Sequence, residues 1–203
     1  RYLLRIETSS PELYRTLHPQ SCSWERRKEC LVNLRRLEYQ VGTGVMISLP
    51  GQTLDDLADD ILFFEKINAD MIGMGPYIPH CDTPLASSTL PQIAKSKEEL
   101  LILSLKMIAV TRLFLHNINI AAATALLCLD PNGRTKAIKA GANVIMPNVT
   151  ADVFAKEYNL YSGKNAVEND LKKTMAGISS SLAEIGEHLI LDNYGDSLHY
   201  KQR

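Results

Sequence analysis

Two rhythms of apolar positions alternate along the chain. Short apolar runs at residues 2–7, 40–47, 71–75, 118–123 and 142–146 have the length and continuity of buried strands. Longer stretches between them carry apolar residues at helical spacing. Ser10-Pro11-Glu12 supplies an N-cap, a proline at the first helical position and an acid in the first turn. Residues 24–39 place Cys30, Leu31, Leu34 and Leu37 on one helical face. Thr53 and Asp56 form a capping-box pattern, opening a helix whose Leu54, Leu57, Ala58, Ile61, Leu62 and Ile67 predict one apolar stripe. Ser96 and Glu99 repeat the pattern before a helix to about Leu115; shorter helical signals cover 133–140 and 168–187. Residues 78–96, interrupted by prolines, and the tail after Leu191 read as irregular.

Strands joined through helices pair in parallel, because antiparallel neighbours can be joined by tight hairpins. Five such units suit either a doubly wound sheet or the second half of a (β/α)8 barrel, which takes about 250 residues when complete. The 203 residues carry 22 basic against 23 acidic side chains, a net charge of −1, which argues against a binder of nucleic acid working by phosphate neutralisation. No apolar run reaches the roughly 18 residues of a spanning helix. No membrane association is therefore expected. The four cysteines, Cys22, Cys30, Cys81 and Cys128, are dispersed as in reduced cytosolic proteins, so a cytoplasmic setting is expected. The chain opens on an apolar run without an initiator Met, as though continued from a longer one.

In parallel α/β folds, function gathers at the carboxyl ends of strands. Arg5 and Glu7, two apart on the first strand, share a face and suit either a zwitterionic ligand or a simple ion pair. Gly73 and Gly75 share a face with Met71, and Gly42 and Gly44 repeat the device one strand earlier; either a ligand or a neighbouring backbone comes close there. His80-Cys81-Asp82 holds three metal-ligand types, but adjacent residues rarely converge on one ion, and no metal site is expected. The cations at Arg26, Arg27 and Lys28 read as a solvated helix face, and the Asn148 sequon as incidental.

The wording of the sequence adds a resemblance. Arg5-Ile6-Glu7-Thr8, Leu17-His18-Pro19, Val41-Gly42-Thr43-Gly44 and Leu49-Pro50-Gly51-Gln52-Thr53 occur in fixed order. They continue with residues 70–80, Asp82-Thr83-Pro84-Leu85, Asp130-Pro131, Gly133-Arg134, residues 141–148 and Leu160-Tyr161-Ser162-Gly163-Lys164. Together these resemble the radical S-adenosylmethionine maturases of [FeFe]-hydrogenase, relatives of biotin synthase. The resemblance implies the C-terminal five βα units of a (β/α)8 TIM-type barrel, one domain over residues 1–203, with 118–187 similar to the biotin and thiamin synthesis-associated C-terminal part. It implies S-adenosylmethionine and a [4Fe-4S] cluster as cofactors, and a 5′-deoxyadenosyl radical acting on an organometallic iron–cysteine precursor.

By position, Arg5, Glu7, Arg27 (or its neighbour Arg26) and Met71 would contact the cofactor. Thr124, Met146, Tyr158 and Tyr161 would line the substrate cavity. Other hydrogenase maturases and an electron donor are the implied partners. The family's CxxxCxxC cluster motif is absent from this chain, so the cluster ligands are expected upstream of Arg1 and this piece alone is expected to be inactive, poorly soluble or self-associating. Auxiliary-cluster cysteines near the end are absent too, Ala123-Thr124 stands where Thr-Thr is common, and Ser48 where Gly is usual. Two other functions remain open: a biotin-synthase-like radical enzyme with another small substrate, and a non-catalytic module that binds S-adenosylmethionine or an anion.

Overall fold

A computed structural model describes residues 1–147, 149–150 and 171–203. Its principal sheet runs β1 (Tyr2–Leu3), β2 (Val41–Thr43), β4 (Met71–Ile72) and β6 (Asn119–Ile120), all parallel. A second rank, β3 (Met46–Ile47) beside β5 (Gly75–Pro76), continues the second and third of these staves. Single bridges, Glu7 to Val45 and Ala121 to Val144, extend the first stave and attach a fifth. Neighbours in space are neighbours in sequence throughout, with no reversal of strand order. A doubly wound sheet requires such a reversal, whereas a barrel does not. The staves therefore form an arc of a (β/α)8 barrel.

The helices follow the capping signals. Ser10 and Ser23 accept backbone N–H bonds that start α1 (Pro11–Leu17) and α2 (Trp24–Arg36). Thr53 and Asp56 make both bonds of a capping box at α3 (Leu54–Lys66). At α4 (Lys97–Phe114) only half the box forms: Ser96 accepts from Glu99, while the Glu99 carboxylate takes the N–H of Lys95. Next come α5 (Gly133–Lys139), α6 (Leu171–Ala183) and α7 (Leu198–Lys201).

Two stripes differ from expectation. On α3 the buried face is Leu57, Asp60, Ile61 and Phe64, whereas Leu54, Ala58 and Leu62 are exposed. A carboxylate occupies a core-facing position, and that displaces the stripe read from apolar residues alone. On α2, Leu31 is buried and Leu34 partly so, but Cys30 and Leu37 face solvent.

Helices α2, α3 and α5 end alike, with a residue in the left-handed region (Glu38, Asn68, Gly141) and the paired backbone bonds of a Schellman motif. Two residues later a polar side chain precedes the next stave. Asp70 and Asn143, so placed, accept the N–H of Val41 and Ile120 on the neighbouring stave, at 2.7 and 2.8 Å. The core lies between staves and helices: Ile6, Val41, Val45, Ile47, Ile72, Met74 and Ile120 pack with Leu31, Leu57, Phe64 and Ile108. Alternation then turns Arg5, Glu7, Gly44, Met71, Gly73 and Gly75 to the inner face of the arc.

Candidate cofactor site at the carboxyl ends of the staves

Glu7 ends the first stave in the left-handed region, at φ 71°, which a residue with a Cβ adopts only under constraint. Its N–H donates to Gly44 and its carbonyl accepts from Met46, so backbone bonds on both sides impose the conformation. The Arg5 guanidinium lies 3.4 Å from the Glu7 carboxylate, the two side chains being 36% and 19% exposed. Arg5 also donates to the carbonyl of Val45 at 2.7 Å, and its Nε is buried without a hydrogen-bond partner. Arg27 reaches in from α2 to donate to the Arg5 carbonyl at 2.8 Å, with its guanidinium 5.9 Å from the Tyr14 ring. Arg26, the neighbouring cation, stays at the surface. The pair at the end of the first stave thus faces inward, each partner in contact with the other.

The inner-face glycines divide by their surroundings. A Cβ on Gly44 would sit 1.8 Å from the Gly73 carbonyl oxygen, and one on Gly75 would be 2.8 Å from the Ala123 Cβ. Close packing explains those two. A Cβ on Gly73 would meet only the Thr43 carbonyl, at 3.9 Å, so Gly73 leaves an unfilled notch on the inner face.

The other predicted site residues are spread. Met71 lies about 13 Å below Gly75 along an extended strand. There it lines a cavity of about 690 Å3 with Asn119, Val144 and Ile178, at the amino end of the staves. Thr124 opens a 3-10 turn (Thr124–Cys128) and is exposed; Met146, 43% exposed, ends the fifth stave. Tyr158 and Tyr161 lie outside the described residues. His80, Cys81 and Asp82 bring their ligand atoms within 4.8 Å of one another. All three side chains are already engaged within the cluster, since His80 Nδ1 accepts the Asp82 N–H and the Cys81 thiol donates to the Asp82 carboxylate.

Sequence reasoning missed Asp60. Its carboxyl is fully buried on α3 and accepts the N–H of Ser9 at 2.6 Å, two residues past Glu7. Burial pushes its pKa up from 3.8 to about 7, helped by the nearby Asp56 and Asp59, while the Ser9 bond pulls the other way. The available signal was the Asp59-Asp60 pair, whose second member falls on the same helical face as Leu57, Ile61 and Phe64.

A curated protein, the [FeFe] hydrogenase maturase subunit HydE of Thermotoga maritima, is 48% identical over 167 residues, 82% of this chain and 45% of that protein. The chain is a HydE relative. It spans less than half the length of that HydE. No family model matches. Among solved structures, methylornithine synthase (PylB) superposes with a TM-score of 0.68 at 20% identity, covering 93% of this chain and 52% of PylB. That likeness concerns the fold, and it agrees with a partial barrel.

The residues at the rim fit the aminoacyl end of S-adenosylmethionine. Arg5 Nε, 3.4 Å from the Glu7 carboxylate and without a hydrogen bond, can turn to a ligand carboxylate, Glu7 is an acceptor for ammonium or hydroxyls, and Gly73 leaves room beside them. The cysteines do not fit a [4Fe-4S] cluster: Cys22, Cys30 and Cys81 are exposed, Cys128 half-buried, and none has the needed spacing. Among the described residues, no helix is long and apolar enough to cross a membrane.

Proposed function

We propose that this HydE relative contributes the cofactor-holding wall of a radical S-adenosylmethionine maturase of [FeFe]-hydrogenase, with a [4Fe-4S] cluster held by residues other than its own cysteines. The 48% identity to HydE carries the reading, supported by Arg5 and Glu7 sharing the inner face at the strand ends. When bound, S-adenosylmethionine supplies a 5′-deoxyadenosyl radical on one-electron reduction, chemistry that side chains cannot furnish. This chain's residues bind and orient. Arg5 holds the aminoacyl carboxylate, Glu7 the ammonium or the ribose hydroxyls, and Arg27 braces the carbonyl of Arg5. Met71 contacts the cofactor from lower in the arc, and Thr124, Met146, Tyr158 and Tyr161 line the cavity for an organometallic iron–cysteine substrate. Other maturases, an electron donor and a cytoplasmic setting belong to the same reading.

Anaerobic reconstitution of the full-length protein tests it. The reading expects a reducible [4Fe-4S] signal by electron paramagnetic resonance and 5′-deoxyadenosine on reduction, lost in Glu7→Gln with the cluster signal retained. Deoxyadenosine formed equally by Glu7→Gln would overturn the assignment of Glu7.

A further inference from the structure

The guanidinium of Arg134, on α5, is enclosed without a counter-charge. Its Nε is buried and makes no hydrogen bond, and among the described residues no acid pairs with it. The acid nearest in sequence, Asp130, is already spent: its carboxylate lies 2.7 Å from the Lys136 ammonium and accepts the Asn132 N–H at 2.6 Å. Burial alone draws the Arg134 pKa below its ordinary value, with no acid pulling the other way. The base of the side chain is fixed, because a Cβ on Gly133 would collide with the Leu126 carbonyl and α5 is therefore packed tightly on the turn before it. A cation taken out of water is destabilising unless a charge of opposite sign is supplied.

Arg134 lines a cavity of about 310 Å3 between the start of α5 and α6. Thr135 from α5 and Lys173, Thr174 and Ser181 from α6 line it as well, and the lining contains no acid. Ile178 and Leu182, both buried, add an apolar part, and a Cβ on Gly177 would meet nothing within 4 Å, so α6 leaves the space open. We propose that this cavity is an oxyanion site that takes the phosphate group of a small molecule, with Arg134 as its principal contact. The donor set decides the chemistry. Two cations and three hydroxyls drawn from two helices suit a doubly charged tetrahedral group, whose oxygens are reached from several sides; a carboxylate offers two oxygens and one charge. The volume lies in the range of small-molecule pockets, so the apolar part leaves room for an organic portion of the ligand. The site is separate from the cofactor rim: α5 follows the fourth stave, three along the arc from Arg5 and Glu7, roughly 14 Å away at the usual strand spacing. It stands whether or not the rim holds S-adenosylmethionine.

The test uses the full-length protein and Arg134→Met, which keeps the apolar stem and removes the charge. Inorganic phosphate is titrated by calorimetry and by thermal denaturation, against phosphate-free buffer of matched ionic strength. The proposal expects phosphate to raise the wild-type melting temperature, and the dissociation constant to be about tenfold weaker or more in Arg134→Met, the worth of one charge-assisted contact. Without phosphate the variant should be at least as stable as the wild type, since an unpaired buried cation has been removed. Lys173→Met, on the other helix, should weaken phosphate in the same direction and keeps the test open if Arg134→Met folds poorly. Equal phosphate response in wild type and variants, or no phosphate binding by the wild type, would overturn the proposal. So would an Arg134→Met protein markedly less stable in phosphate-free buffer, which would mean that an acid of the full-length chain already holds the guanidinium. Glycerol 3-phosphate run alongside decides the source: tighter binding of the ester identifies a phosphorylated small molecule, and equal affinity identifies free phosphate.

Discussion

Asp60 and Asp70 are both fully buried carboxylates, yet their surroundings are opposite. Asp70, at the amino end of the third stave, accepts from Arg35, Arg203, His199 and the Val41 N–H, at 2.7 to 3.2 Å. Around it the tail is tied to the floor of the arc: Asn119 donates to Gly195, the His199 N–H to Asn117, and Arg1 to Asp196. Arg112 likewise spends its nitrogens on the carbonyls of Gly141, His116 and Ile118 and on Asn143. Among the described residues Asp60 accepts one backbone N–H and pairs with no cation, two residues from a Glu7 in the left-handed region that is paired with Arg5. One end of the barrel is closed by charge pairing. The other has no such cluster around its buried carboxyl and keeps the Arg5–Glu7 pair on the inner face, at the end where such folds bind ligands; unpartnered nitrogens occur at both ends, Arg35 Nε and Nη2 at the floor and Arg5 Nε at the rim.

Breaking the floor has the largest expected effect. Asp70→Ala strands Arg35, Arg203 and the Val41 amide, and should lower stability by about 3–5 kcal/mol in denaturant titrations. Asp60 responds through pH. Its raised pKa means the folded state holds the proton more tightly than the unfolded chain does. That contribution is complete below about pH 4 and lost as pH climbs through 7, on the order of 2–4 kcal/mol, and Asp60→Asn should remove this slope. Gly44→Ala forces a Cβ onto the Gly73 carbonyl and should cost about 1–3 kcal/mol, whereas Gly73→Ala should leave stability unchanged and weaken S-adenosylmethionine binding. The finest contrast compares two glutamates in the left-handed region. Glu38→Gly, at the end of α2, should gain about 1 kcal/mol with no effect on binding. Glu7→Gly should gain less and reduce affinity at least tenfold, since it removes a proposed cofactor contact.

Local signals were legible. Ser10, Thr53 and Ser96 start their helices through side-chain bonds to the backbone, which depend on residues three positions apart; Ser23 does the same without having been singled out. Strand order was not, because periodicity is equally satisfied by an open sheet and by a barrel. Nor was the floor: His199 meets Asp70 across 129 residues of sequence, and nothing local marks that encounter. Ser48 illustrates the intermediate case. It occupies the left-handed region at φ 65°, which accounts for glycine being usual in the family at this place, and its hydroxyl accepts the Ala94 N–H at 3.0 Å. Of the proposed site, the shared face of Arg5 and Glu7 was readable from their spacing. The strain at Glu7 and the carboxyl of Asp60 behind it arise from packing between elements.

Locating S-adenosylmethionine in crystals of the full-length protein tests the contrast between the two ends most directly. The account predicts cofactor density at the carboxyl ends of the staves, with the aminoacyl carboxylate against Arg5 and Glu7 within hydrogen-bond distance of the ammonium or ribose. Density confined to the 690 Å3 cavity between the lower staves and the tail, with Glu7 untouched, would contradict it.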